Sequence, residues 1–147
     1  MFKLGKKSQS ELVGIHPILS FAVYMAIQRT KQDFAICDKG GLRSDDEQAW
    51  LYAQGRTREG NRVTWTLNSF HQYGLAVDLV AWVSGEYNWD IQYYAAIVKA
   101  MKEVIKEYKL PIDHGYDLWG KDLPHWQISR LDGVDAREVY DIRKYNL

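Results

Sequence analysis

The sequence is poor in cysteine, in proline and in net charge. Its single cysteine, Cys37, excludes an intramolecular disulfide and any multi-cysteine zinc site. No histidine lies near it in sequence, so it reads as a small apolar residue that packs. With three prolines, no linker rich in Pro, Gly or Ser and no internal repeat, the 147 residues read as one domain. That length is enough for a real hydrophobic core. Nineteen basic residues balance nineteen acidic ones, so no nucleic-acid partner is indicated, although Lys3, Lys6 and Lys7 make the start locally basic. No apolar run approaches the ~18 residues that a membrane span needs. The N-terminal lysines are followed by neither a long apolar run nor a small-residue cleavage site. The expectation is therefore a chain with no secretory signal and no membrane insertion, kept in the cytoplasm.

What the sequence does contain is alternating local patterns. Ser8 and Glu11 have the spacing of a capping box, predicting a short helix that begins there. Pro17 suits the first turn of a second helix reaching about Arg29, with Ile18, Phe21, Ala22 and Met25 at helical spacing. Residues 34–37, FAIC, read as a short buried strand broken by Gly40-Gly41. Ser44 and Glu47 form another capping box, and Gly55 a stop, predicting a helix over 45–54 with Arg43 on the loop just before it. A polar stretch, 55–68, leads to a predicted strand over 75–83 that ends at Ser84-Gly85. From Asp90 to Tyr108, apolar residues recur at three and four, an amphipathic helix, and Pro111 ends that region. Short strands near 112–116 and 125–129 and a terminal helix near 135–145 complete an α+β pattern with a small antiparallel sheet.

One residue breaks the strand pattern. In SFHQYGLAVD, residues 69–78, Leu75, Val77 and Leu79 share an apolar face, while Ala76 and Asp78 share the other. A buried unpaired carboxylate is costly and persists with a partner or a metal. Ala76 leaves space beside Asp78, and the Gly74 hinge can bring His71 back over the same face. The chain has four histidines, His16, His71, His114 and His125. His125 shares a face with Gln127 in the run HWQI, and Asp122 stands three residues before it. His71, Asp78 and His125 would leave the fourth position of a tetrahedral zinc open, the layout of a catalytic site. Asp122 would be the carboxylate beside it. The plainer alternatives are an Asp78–Arg43 ion pair and histidines that are merely satisfied polar residues.

The ordered motif SxHxxGxAxD (Ser69, His71, Gly74, Ala76, Asp78), followed by DxxH, resembles the zinc peptidases that act on bacterial cell-wall peptide. FKLGKKSQSEL, GLRS, LYAQGRT and HWQI extend the resemblance from about Phe2 to Ile128. It looks closest to phage endolysins with L-alanyl-D-glutamate specificity. The resemblance implies zinc ligands at His71, Asp78 and His125 and a catalytic acid/base at Asp122. It also places the family's arginine on Arg43 and its motif serine on Ser69. WGKDLPHW is compressed relative to many relatives, which bears on the roof of the cleft.

The activity implied by this resemblance is hydrolysis of the L-Ala–D-Glu bond of the peptidoglycan stem peptide by a zinc-dependent monomer. Arg43 would stabilise the oxyanion or hold a substrate carboxylate, and Trp119 and Tyr116 would line the cleft. His114 is the spare histidine, a contact behind the ligands or to substrate. The alternatives are a D-Ala-D-Ala carboxypeptidase on the same scaffold and a non-catalytic zinc-bearing binding domain. Residues 129–147 are too short for a separate wall-binding module. A phage enzyme without a signal would wait in the host cytoplasm for a holin.

Overall fold

The computed structural model describes residues 1–145. Helices α1 (Lys6–Glu11) and α2 (Pro17–Arg29) come first, then strand β1 (Phe34–Ile36) and helix α3 (Asp45–Ala53). A 3-10 turn, Phe70–Tyr73, leads into the long strand β2 (Ala76–Val83), which hairpins to β3 (Glu86–Asn88). Helix α4 (Tyr94–Tyr108), the short pair β4 (Asp113–His114) and α5 (Gly115–Trp119), and strand β5 (His125–Gln127) come next. A small hairpin, β6 (Arg130–Leu131) with β7 (Val134–Asp135), and a one-turn helix α6 (Ala136–Val139) close the chain. The α+β pattern read from the sequence is the one observed.

β2 organises the sheet. It pairs antiparallel with β1 on one side, and with β3 and β5 on the other, and β4 extends the sheet beyond β5. Its alternation is the predicted one. Leu75, Val77, Leu79 and Ala81 enter the core, where they meet Leu19, Val23 and Ile27 of α2 and Ile97, Met101 and Val104 of α4. Each such side chain, fully buried, stabilises the fold by roughly 1.5–3 kcal/mol. Register then fixes the site, because Asp78 pairs directly with His125 across the β2–β5 ladder.

Local chemistry departs from the sequence reading in three places. Helix α1 starts at Lys6 with Gly5 as its cap, not at Ser8. The Ser8 hydroxyl is buried and instead accepts the Ile36 N–H at 3.0 Å, tying α1 to β1. The strand expected over 112–116 is only two residues long, because Gly115 starts α5 and Gly120, at φ +68°, ends it. The terminal helix is one turn, followed by a 3-10 turn over Ile142–Lys144. Side-chain caps from Asp135 and Asp141 start each turn separately. The Ser44–Glu47 capping box is present as expected.

Candidate metal centre

His71 is delivered by a capped turn. Ser69 accepts the His71 N–H on its hydroxyl at 3.2 Å, and Gln72 accepts the Ser69 N–H at 2.7 Å, a reciprocal capping box. Gly74 ends the turn at φ +80°, where a Cβ would strike the Gly14 carbonyl. Gly40 and Gly41 are more than breakers. The Gly40 carbonyl accepts the Asp78 N–H at 2.7 Å, and the Gly41 backbone presses so closely on Glu11 that no Cβ fits. The Gly41 carbonyl in turn accepts the His71 Nδ1–H at 2.9 Å. That bond fixes the proton on Nδ1 and leaves Nε2 bare.

Nε2 of His71 faces Asp78 Oδ2 at 3.2 Å. Burial and the Arg43 charge lower the His71 pKa to about 4, so the ring is neutral near pH 7. Two acceptors therefore face each other with no proton between them, an arrangement that calls for a cation. The other oxygen, Oδ1, meets His125 Nδ1 at 3.0 Å, while His125 Nε2 donates to Gln127 Oε1 at 2.7 Å. Gln127 is oriented by its own bond to Ser129 at 2.9 Å. Burial is the largest influence on His125 and opposes its charge, but the bond and charge of Asp78, with Gln127 and Asp122, together outweigh it and raise its pKa. Burial likewise pushes the Asp78 pKa up, and His71 with His125 overcome this, holding it well below the carboxylate range.

One atom each from His71, Asp78 and His125 lie within 4.8 Å of one another. Two imidazoles and one carboxylate are a donor set suited to zinc, and three protein ligands leave a position open. Each imidazole gives its other N–H to a protein oxygen, the support that ligating histidines need. The residues fit the ion.

The three open onto a cavity of about 780 Å³ that Asp122, Trp119, Ser69 and Arg43 also line. Asp122 sits at the rim with a left-handed backbone, φ +75°. The residue is exposed there, but the cleft walls crowding its carboxyl, reinforced by the Asp78 charge, raise its pKa. Arg43 is held on all sides: Nε donates to Lys39 O, Nη1 to Gln48 Oε1 and Nη2 to Asp78 Oδ2. The ion pair set against the metal reading thus coexists with the metal cluster. Of the five guanidinium N–H groups, two are left over.

His114 is not with the ligands. It stacks on Trp126 at 4.0 Å and donates to the Leu123 carbonyl at 2.8 Å, anchoring the loop that carries Asp122. His16 caps α2, its Nδ1 accepting the Ile18 N–H. Trp119 lies 5.3 Å from the His125 ring; Tyr116 is exposed and does not line the cavity. Sequence reasoning misses Gln48, whose amide donates to Thr66 O and Thr64 Oγ1 and so holds one cleft wall to Arg43. A glutamine on the inner side of a short helix is the available signal. The polar stretch 55–68 is that wall, braced by Arg56 over Tyr52 and Arg58 over Trp50.

Known proteins share this sequence and architecture. Peptidoglycan L-alanyl-D-glutamate endopeptidase CwlK of Bacillus subtilis (strain 168) is 39% identical over 85 residues, 54% of this chain. That match spans 50% of CwlK, about half its length. The L-alanyl-D-glutamate peptidase of Escherichia phage T5 is 26% identical over 132 residues, 88% of this chain and 90% of the T5 protein. The crystal structure of Serratia marcescens L-Ala D-Glu endopeptidase ChiX superposes with a TM-score of 0.70 at 27% identity. It covers 99% of this chain, and 95% of ChiX is covered in return. The model of the phage L-alanyl-D-glutamate peptidase family matches residues 1–137, from α1 through the metal-ligand cluster to α6, and the chain belongs to that family.

Proposed function

We propose that the chain is a zinc-dependent endopeptidase that hydrolyses the L-Ala–D-Glu bond of peptidoglycan stem peptides, lysing the cell wall as an endolysin does. The observation that carries this reading is the His71–Asp78–His125 cluster opening onto a cavity shared with Asp122. Family membership and the activities of CwlK, the phage T5 enzyme and ChiX support the choice of bond.

Zinc held by His71, Asp78 and His125 would supply Lewis acidity toward the scissile carbonyl. The protein's own part falls on Asp122. Its raised pKa suits a group that takes a proton from the attacking water and gives it to the departing amine. Arg43 pairs with the Asp78 carboxylate and keeps it aimed, and its two spare N–H groups are available to the oxyanion or to a substrate carboxylate. Ser69 works by holding the His71 turn, since its hydroxyl is spent on the cap. The described residues act as one catalytic domain and as a monomer. As a phage lytic enzyme it would wait in the host cytoplasm until a holin opens the membrane; the phage source of the T5 relative supports the phage origin alone. Among the described residues no helix is long and apolar enough to cross a membrane.

The test is digestion of purified cell walls by protein as isolated, stripped by chelator, and restored with zinc. Lysis lost on stripping and regained with zinc is expected. Full lysis by a thoroughly stripped protein would refute the zinc dependence. A merely metal-bearing binding domain would give no lysis in any state.

A further inference from the structure

Three cations line the cavity, and two of them are committed. Arg43 is bound to Asp78, and Arg137 pairs with Asp135 at 2.7 Å while its Nη1 donates to Asn68 O. The third, Lys121, has no carboxylate partner among the described residues. Its Nζ stands 5.1 Å from the Trp65 ring centroid on the opposite cleft wall, and it immediately precedes Asp122. A lone ammonium in a cleft, held against an aromatic face and next to the proton-transferring carboxyl, is placed to meet an anionic group of the substrate.

The chemistry of the bond says which one. A glutamyl residue has two carboxyl groups and the chain continues through one of them, so the other remains ionised. That carboxylate is tied by a few covalent bonds to the nitrogen that departs. The departing nitrogen must come within hydrogen-bond reach of Asp122, which delivers its proton. The free carboxylate is thereby brought to the part of the cleft where Lys121 sits. We propose that Lys121 is a specificity-determining residue that binds the free carboxylate of the glutamyl residue on the leaving-amine side of the scissile bond. This rests on the endopeptidase reading above. It also separates substrates by charge alone, because a carboxamide at the same place has the same shape and no charge.

The experiment uses two synthetic stem peptides containing the L-Ala–D-Glu bond, identical except that the free glutamyl carboxylate of one is a carboxamide. kcat/KM is measured for both with the zinc-loaded wild-type chain and with Lys121→Gln and Lys121→Arg. A charge-assisted hydrogen bond should make the wild type prefer the carboxylate by roughly 10-fold or more. Lys121→Gln should bring the ratio close to one through loss on the carboxylate peptide, and Lys121→Arg should keep most of it. An unchanged ratio in Lys121→Gln, or an equal loss on both peptides, would overturn the assignment while leaving the endopeptidase reading standing. If the wild type cleaves neither peptide at this bond, the endopeptidase reading itself falls, and the role of Lys121 with it.

Discussion

Arg43 and Asp78 form an ion pair inside the cleft, Nη2 to Oδ2 at 3.1 Å, and Asp78 is at the same time the central member of the metal cluster. The arginine would therefore act on a zinc bound there through Asp78, whatever else its free N–H groups do. Lysine cannot reproduce the fork that holds Lys39 O, Gln48 and Asp78 together. Arg43→Lys is expected to weaken zinc binding by ~10-fold or more, the usual cost of losing an outer partner of a ligand. Competition with a chromophoric chelator measures it. Unaltered zinc affinity with a lowered kcat would return Arg43 to the oxyanion; a raised KM alone would make it a substrate anchor.

Gln127 holds the other end of the cluster. Its Oε1 takes the His125 Nε2–H, leaving Nδ1, on the side that faces Asp78, as the nitrogen with a free lone pair. Gln127→Leu keeps the volume and removes the acceptor, stranding a buried N–H and freeing the tautomer. Zinc affinity should fall by about 10- to 100-fold, with the fold retained by circular dichroism. If zinc affinity stays at the wild-type value, the glutamine is only filling space.

Asp122 calls for a substitution that respects its backbone. At φ +75° asparagine is tolerated where alanine is strained, so Asp122→Asn isolates the chemistry. Zinc content and thermal stability should stay near wild type while hydrolysis falls by ~10²-fold or more. A fully active Asp122→Asn protein would mean that another group moves the proton.

Zinc binding should weaken on acidification, with the sign set by His125. A ligand imidazole must be unprotonated to bind metal, and the Asp78 carboxylate that accepts from the protonated ring, together with Gln127 and the Asp122 charge, raises the His125 pKa above 6.5 against the opposing effect of burial. Protons therefore compete at a higher pH than they would for an ordinary histidine. The apparent affinity should drop by up to about tenfold per pH unit for each proton displaced, going from about pH 8 to about pH 6. Chelator competition across that range checks it; an affinity flat down to pH 6 would contradict the position of His125 in the cluster.

The unusual place of Asp78 is legible in the sequence because strand geometry is periodic, and its grouping with His71 and His125 because the ordered motif resembles a known family. A carboxylate on the face opposite Leu75, Val77 and Leu79 cannot be in the core, so its position needs another explanation. The Ser44–Glu47 cap is legible because both of its partners are local. Ser8 misleads for the opposite reason, since its hydroxyl finds Ile36, 28 residues away, rather than its own helix start. Gln48 and Gln127 look like surface residues in sequence, and only the tertiary fold shows what their amides hold. Arg43 stands out in sequence as a substrate or oxyanion group, or as a plain ion-pair partner of Asp78. That it holds Asp78 and the cleft wall together is a tertiary fact, because its bond to Asp78 spans 35 residues and the one to Gln48 depends on the inner face of α3.

The central claim concerns one bond, and mass spectrometry of the fragments from digested peptidoglycan reads it directly. The zinc-loaded chain should release peptides that begin with D-Glu and leave L-Ala as the new carboxyl end, and Asp122→Asn should release them far more slowly. Fragments shortened only by a terminal D-Ala, or an undigested wall, would contradict the account.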